Sequence, residues 1–217
     1  DPLHLPGLYD KGSDLQARLV PRRKSDRGDV ASDESALAAK MHWLLGGNEM
    51  DLLAARNYGD NILGFGYTTE LAENVVNTNI SLTDSGDDTV FSAVVNYNFS
   101  SIVRGKNLTG FIEFFYNGFG MSGRENSVQD VFDDTAFYER LLRGELLTTG
   151  RYYLAGSVQV EMTPLLQLSP ILFINLGDGS GMLQFIGSYS LAQNLDLLAG
   201  FNLPAGPDGS EFGGLHT

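Results

Sequence analysis

RYYLAGSVQVEMTPLLQLSPILFINLGDGSGMLQFIGSYSLAQNLDLLAGFNLP, residues 151–204, decides the fold. Its side chains alternate with a period of two, the signature of extended strands. Tyr152, Leu154, Gly156, Val158, Val160 and Met162 share one face, against Tyr153, Ala155, Ser157, Gln159 and Glu161 on the other. After a tight turn at Thr163-Pro164, Leu168, Pro170, Leu172 and Ile174 oppose Ser169, Ile171, Phe173 and Asn175. GDGSG (177–181) reverses the chain, and Leu183, Phe185, Gly187, Tyr189 and Leu191 oppose Gln184, Ile186, Ser188 and Ser190. Past Ala192-Gln193-Asn194, Leu195, Leu197, Ala199, Phe201 and Leu203 oppose Asp196, Leu198, Gly200 and Asn202. Four consecutive antiparallel strands are predicted, each with one apolar and one mixed face.

Two properties separate this stretch from an ordinary sheet. Soluble strands average about five or six residues, whereas alternation here holds for about ten, matching the roughly 9–11 tilted residues that cross a bilayer. The turns also alternate between very short and Gly/Asp-rich, as they do in outer-membrane barrels. A soluble β-sandwich would carry the same alternation with its apolar face turned inward, so strand length and turn asymmetry favour the membrane barrel.

Composition fits one all-β domain spanning 1–217. The apolar fraction is 42% and the mean hydropathy −0.09, with no run of about eighteen apolar residues that would make a transmembrane helix. A barrel hides its membrane character because every second residue is polar. There is no cysteine, which excludes disulfide frameworks and Cys-ligated metals. The net charge of −13 argues against a nucleic-acid partner. The chain begins at Asp1, so either a signal peptide has been removed or the sequence is an internal fragment.

Residues 1–13 carry Pro, Gly and no periodicity, and read as an irregular lead-in. A strand follows from Leu15 to Arg22, then a polar loop (24–35) opened by Arg22, Arg23, Lys24 and Arg27. That cluster reads as an anion-attracting mouth or a lipopolysaccharide contact, or more simply as a solvated loop. Leu37 to Leu44, Met50 to Asn57, 62–68, Val76 to Leu82, Phe91 to Phe99 and NLTGFIEFFYNGFG (107–120) continue the meander. In 62–68, Gly64 and Gly66 leave room for neighbouring side chains. Tyr97, Phe99, Tyr116, Phe119, Tyr152 and Tyr189 fall towards strand ends, as interfacial girdles require. The total is about eleven strands, an odd count against the even number usual for bacterial barrels. The tail after Pro204 therefore reads as an outer loop awaiting a descending strand, and the barrel as incomplete.

The long outer loop, 118–150, interrupts the meander. Val128, Val131, Phe132, Thr135, Tyr138 and Leu142 recur at helical spacing, with Ser127 as N-cap and Gly144 as stop. The short helix either constricts the pore or packs on neighbouring loops.

NLTGFIEFFYNGFG, this loop helix, LSPILFINLGDGSGMLQ (168–184) and LLAGFNLPAGPDGSEFGG (197–214) together resemble the C-terminal part of a porin-like family of Gram-negative outer-membrane barrels whose substrate is unassigned. The match is one of pattern and extends from about residue 36 onward. It implies an outer-membrane location, lipid and lipopolysaccharide as surroundings, and insertion by the barrel-assembly machinery. Such barrels end on a strand with a terminal aromatic residue, which this sequence lacks.

Chemistry-bearing motifs are sparse. His4 and His216 lie in the tails, which leaves His42, with Asp51 across the hairpin, as the one candidate for a lipid-hydrolysing centre. GDGSG has Gly179 where a nucleophile elbow needs serine. DSGDD (84–88) lacks calcium-loop spacing, and Lys106 has no P-loop around it. No cofactor and no metal are expected. The reading is a passive pore for small solutes rather than an enzyme, with Arg18, Lys40, His42, Asp51, Glu113, Glu161 and Asp196 lining it in mixed sign. The alternatives are a lipid-modifying barrel enzyme using His42 and a soluble β-sandwich binding module.

Overall fold

The computed structural model of the chain describes residues 3–4, 12–23, 30–86, 88–122, 131 and 134–213. It is an antiparallel meander in which strands neighbour one another in chain order, from β1 (Leu3–His4) to β12 (Leu195–Ala205). All the strands expected from the alternation are present, and β1 is a two-residue addition from the lead-in, pairing Leu3 with Ala17. The strand order has two ends, β1 and β12.

The chain divides into two compact units, Asp1–Val94 and Val95–Thr217. The first holds β1, β2 (Ser13–Arg23), β3 (Val30–Leu45), β4 (Asn48–Asn57), β5 (Asp60–Leu71) and β6 (Asn74–Asp84). β3 extends to 16 residues and takes in part of what reads from sequence as the 24–35 loop. Lys24 and Arg27 of the basic cluster lie outside the described residues. β7 (Thr89–Val103) contributes its end to the second unit, with β8 (Lys106–Tyr116), β9 (Tyr152–Thr163), β10 (Leu166–Asn175), β11 (Gly181–Ala192) and β12.

The turn asymmetry holds in the second unit, whereas in the first a two-residue turn occurs at both ends. In the first, Gly46-Gly47 and Ala72-Glu73 are two-residue turns between Leu45 and Asn48 and between Leu71 and Asn74. Tyr58-Gly59 closes the opposite end equally tightly. All three pairs have positive φ, from 49° at Ala72 to 88° at Gly59, the primed geometry whose twist suits flanking strands. In the second unit Arg104-Gly105, Pro164-Leu165 and Gln193-Asn194 are the short turns. Its other end carries the connection between β8 and β9, the 176–180 loop and the 206–213 tail.

The faces sort as the alternation requires, but the exposed face is the apolar one. In the first unit Met41, Leu52 and Phe65 follow one another in register, as do Ala39, Ala54, Leu63 and Leu82. Leu63 is 58% exposed and Leu82 46%. In the second unit Phe114 faces Leu154 and Phe185 faces Phe201 in register, and Phe201 is 55% exposed. The buried apolar side chains among the described residues are Phe137, Leu146 and Tyr153, all around the loop end of the second unit. Burying a side chain such as Leu or Phe contributes about 1.5–3 kcal/mol, so leaving an entire face uncovered in water would forgo most of the usual driving force for folding.

Candidate functional site: the mixed face and its loop-end cover

The mixed face holds the polar side chains in cross-strand pairs. In the first unit Asp51 receives Lys40 and His42 on the same oxygen, with Lys40 Nζ and His42 Nδ1 each 3.0 Å from Oδ1. The register places this group: His42 faces Asp51, Asp51 faces Gly66, and Asp14 faces His42 on the other side. Gly66 is what makes room. A Cβ there would meet Asn79 Oδ1 at 2.8 Å and Asp51 Cβ at 3.2 Å. Gly64 likewise accommodates Leu53, whose Cβ would lie 3.3 Å from an added one. Arg18 is on the same face, opposite Ala38, and is exposed.

In the second unit the three acidic candidates stand apart, each with its own amide or hydroxyl donor. Asn96 Nδ2 donates to Glu113 Oε2 at 3.0 Å. Asn107 Nδ2 donates to Glu161 Oε2 at 2.6 Å, and Ser190 Oγ to Asp196 Oδ1 at 2.7 Å. Gln159 to Gln167 and Gln184 to Asn202 extend the same pattern. Each pair bridges adjacent strands, as on the polar side of a half-buried sheet.

His42 and Asp51 form a two-member arrangement. Among the described residues no serine or threonine hydroxyl bonds His42, and its register neighbours Asp14 and Asp51 are acids. Among the described residues, too, no group of three His, Asp or Glu side chains is set to hold a metal ion.

The loop end of the second unit holds a cluster that the alternation does not reveal. Glu211, in the tail, accepts from Tyr153 Oη at 2.7 Å and Asn175 Nδ2 at 2.9 Å through Oε2. Through Oε1 it accepts from the Thr149 N–H at 3.0 Å. The tail is held from the other side as well. The Glu211 N–H donates to Asp178 Oδ2 at 2.8 Å, and the Phe212 N–H to Ser180 Oγ at 3.2 Å. Asn175 and Ser180 are fully buried and Asp178 nearly so, and buried polar groups are retained when hydrogen-bonded. Rings continue the contact: Phe115, Tyr153 and Phe173 stack in sequence, and Phe212 meets Phe173 edge-on at 5.7 Å. Tyr153, Phe173 and Asn175 belong to the mixed face, so the tail covers that face at the loop end of β9 and β10. Gly150 allows the approach, since a Cβ there would fall 2.3 Å from Asn175 Nδ2.

The periodicity predicts one helix through 127–142, but Asp134 is not helical, while Val131 before it is. α1 spans Thr135–Leu142 and starts at Asp134, whose carboxylate accepts from the Phe137 N–H at 3.0 Å. The expected cap Ser127, with Val128 and Phe132, lies outside the described residues. Gly144 does end the helix, at φ +70°. The buried side chain is Phe137, while Leu142, expected on the packed face, is 70% exposed. Arg140 lies over the Phe119 ring at 4.2 Å and pairs with Glu145 at 3.1 Å, so these contacts of α1 are with its own loop. Asp134→Ala is expected to cost about 1 kcal/mol of local helix stability, seen as faster amide exchange across Thr135–Leu142 with the sheet unaffected. Unaltered exchange would mean that the cap contributes nothing.

No protein-family model, curated protein or solved structure matches this chain.

Proposed function

We propose that the chain is a transmembrane β-barrel, or most of one, in the outer membrane of a Gram-negative bacterium, acting as a passive pore for small solutes. The observation that carries this reading is the division of faces within each unit. Bulky apolar side chains line the exposed face, and charged and amide side chains pair on the other. Lipid is the medium that rewards this arrangement, because each strand between the two ends of the order is hydrogen-bonded to neighbours on both sides and the outward residues are hydrocarbon. Strands of 10 to 16 residues are long enough to span at barrel tilt. The surroundings would be phospholipid and lipopolysaccharide, and insertion would depend on the barrel-assembly machinery.

On this reading Arg18, Lys40, His42, Asp51, Glu113, Glu161 and Asp196 face the water of the lumen and set ion preference by their sum. The protein should fractionate with outer membranes, need detergent for extraction, and give steady conductance steps in planar bilayers. A monodisperse protein that melts cooperatively without detergent would overturn the barrel. The His42–Asp51 bond supports one second reading, a lipid hydrolase. It would be favoured by silent bilayers together with lipase activity lost in His42→Ala.

A further inference from the structure

On the apolar face of β3 to β5 the side chains shrink. Ala39 faces Ala54, and Ala54 faces Leu63, while Leu37 faces Arg56 and Arg56 faces Asn61. The two alanines leave an open groove of about 370 Å³ between Leu37 and Leu63, ending at Arg56 and Asn61. Arg56 is out of keeping with its face. It has the parity of Leu52 and Ala54, yet it is charged and exposed.

The other first-unit cations whose side chains have partners are held on the opposite face or at the turn. Lys40 is paired to Asp51, and Arg22 donates to Asn57 and lies over Tyr58. Arg56 has no hydrogen bond or ion pair among the described residues. Asp84, on the same face in β6 and opposite Asn61, accepts from the Gly86 N–H at 3.1 Å. The position of Arg56 is informative too. It lies one residue short of the Tyr58-Gly59 turn's flanking Asn57, at the strand end. A guanidinium on a lipid-facing parity costs most at the bilayer midplane and little near the headgroups.

We propose that this groove binds one anionic phospholipid, its phosphate on Arg56 and Asn61 and one acyl chain along Ala54 and Ala39. Guanidinium geometry matches phosphate oxygens in pairs, and the alanines allow a chain to approach the sheet more closely than Leu37 or Leu63 would. The inference rests on the lipid-facing reading of this face.

Trp43 is the single tryptophan. It lies on β3 opposite Met50, with the same parity as Ala39 and Met41, and so reports on a chain running down the groove. The protein would be reconstituted in phosphatidylcholine vesicles doped with brominated phosphatidylglycerol or brominated phosphatidylcholine, and Trp43 quenching measured. One well-placed cation is expected to give about a fivefold preference for the anionic lipid. Arg56→Gln should reduce that preference to none, and Ala54→Phe should lower quenching by both lipids while insertion persists. Glycerol phosphate in the buffer should not compete; competition would show a headgroup site without a chain and overturn the proposal. Equal quenching by the two lipids, or a preference unchanged in Arg56→Gln, would overturn the lipid site alone. Absence of quenching by either lipid would overturn the lipid-facing reading itself.

Discussion

Glu211→Ala is expected to destabilise the loop end of the second unit by about 3 kcal/mol. Three donors converge on this carboxylate: the Tyr153 hydroxyl, the Asn175 amide and the Thr149 N–H. Each donor left unsatisfied in a buried setting costs about 1–3 kcal/mol. Glu211 is only part-buried, so water reaches some of them and holds the sum near the lower end. The Glu211 N–H bond to Asp178 survives the substitution, so the tail should loosen without leaving the chain's own turn. Amide exchange at Thr149 and Phe212 should accelerate, and a protease should cut within 206–213. Asp208→Ala is the control, because that side chain is exposed and should change stability by less than about 0.5 kcal/mol. Since the tail covers the mixed face at the ends of β9 and β10, Glu211→Ala should also raise single-channel conductance on the pore reading. Unchanged exchange would show that the three bonds contribute nothing. Faster exchange with unchanged conductance would place the tail outside the conducting path.

The strands were legible because their signal is local. Leu168, Leu172 and Ile174 announce a face of β10 from residues two or four positions away, and the register that pairs Leu172 with Leu183 and Gly156 follows once the turns are short. Gly144 was legible as a stop for the same reason, since only a glycine easily takes φ +70°. The cluster around Glu211 was not. Its partners lie 58, 36 and 62 residues away, and nothing in GSEFGG alone distinguishes a docking segment from a solvated tail. A trace was present. An acid and an aromatic residue between Gly206, Gly209 and Gly213 suit close packing, and a Cβ on Gly213 would sit 2.0 Å from the Pro207 carbonyl. Phe137 was missed because Asp134 is extended and α1 starts after it, so a stripe drawn through Val128 and Leu142 does not follow one continuous helix. Among the pore-facing candidates, the sequence placed Glu113, Glu161 and Asp196 on one face of their strands. It could not show that each is answered by an amide or hydroxyl on the preceding strand.

Phe114→Arg is expected to cost roughly 2–4 kcal/mol if the apolar face meets lipid, and it tests the assignment on which the functional reading depends. Phe114 is 42% exposed and lies opposite Leu154 in register. If that face met water, an arginine there would cost no more than about 0.5 kcal/mol, so stability separates lipid from solvent directly. If a second protein layer covered the face, the substitution would bury an unpaired charge and also be damaging. Chemical access resolves that case. A cysteine at 114, in intact liposomes, should react with a lipid-soluble maleimide and not with a water-soluble one. A cysteine at 113 should react with the water-soluble reagent, because neighbouring residues of a strand point to opposite faces. Glu113→Arg carries the complementary expectation. Its carboxylate is held by Asn96 alone among the described residues, so folding should change little, while the permeability ratio moves towards anions. Equal labelling of both positions by the water-soluble reagent would mean that both faces meet water, and the membrane-barrel reading would then fail.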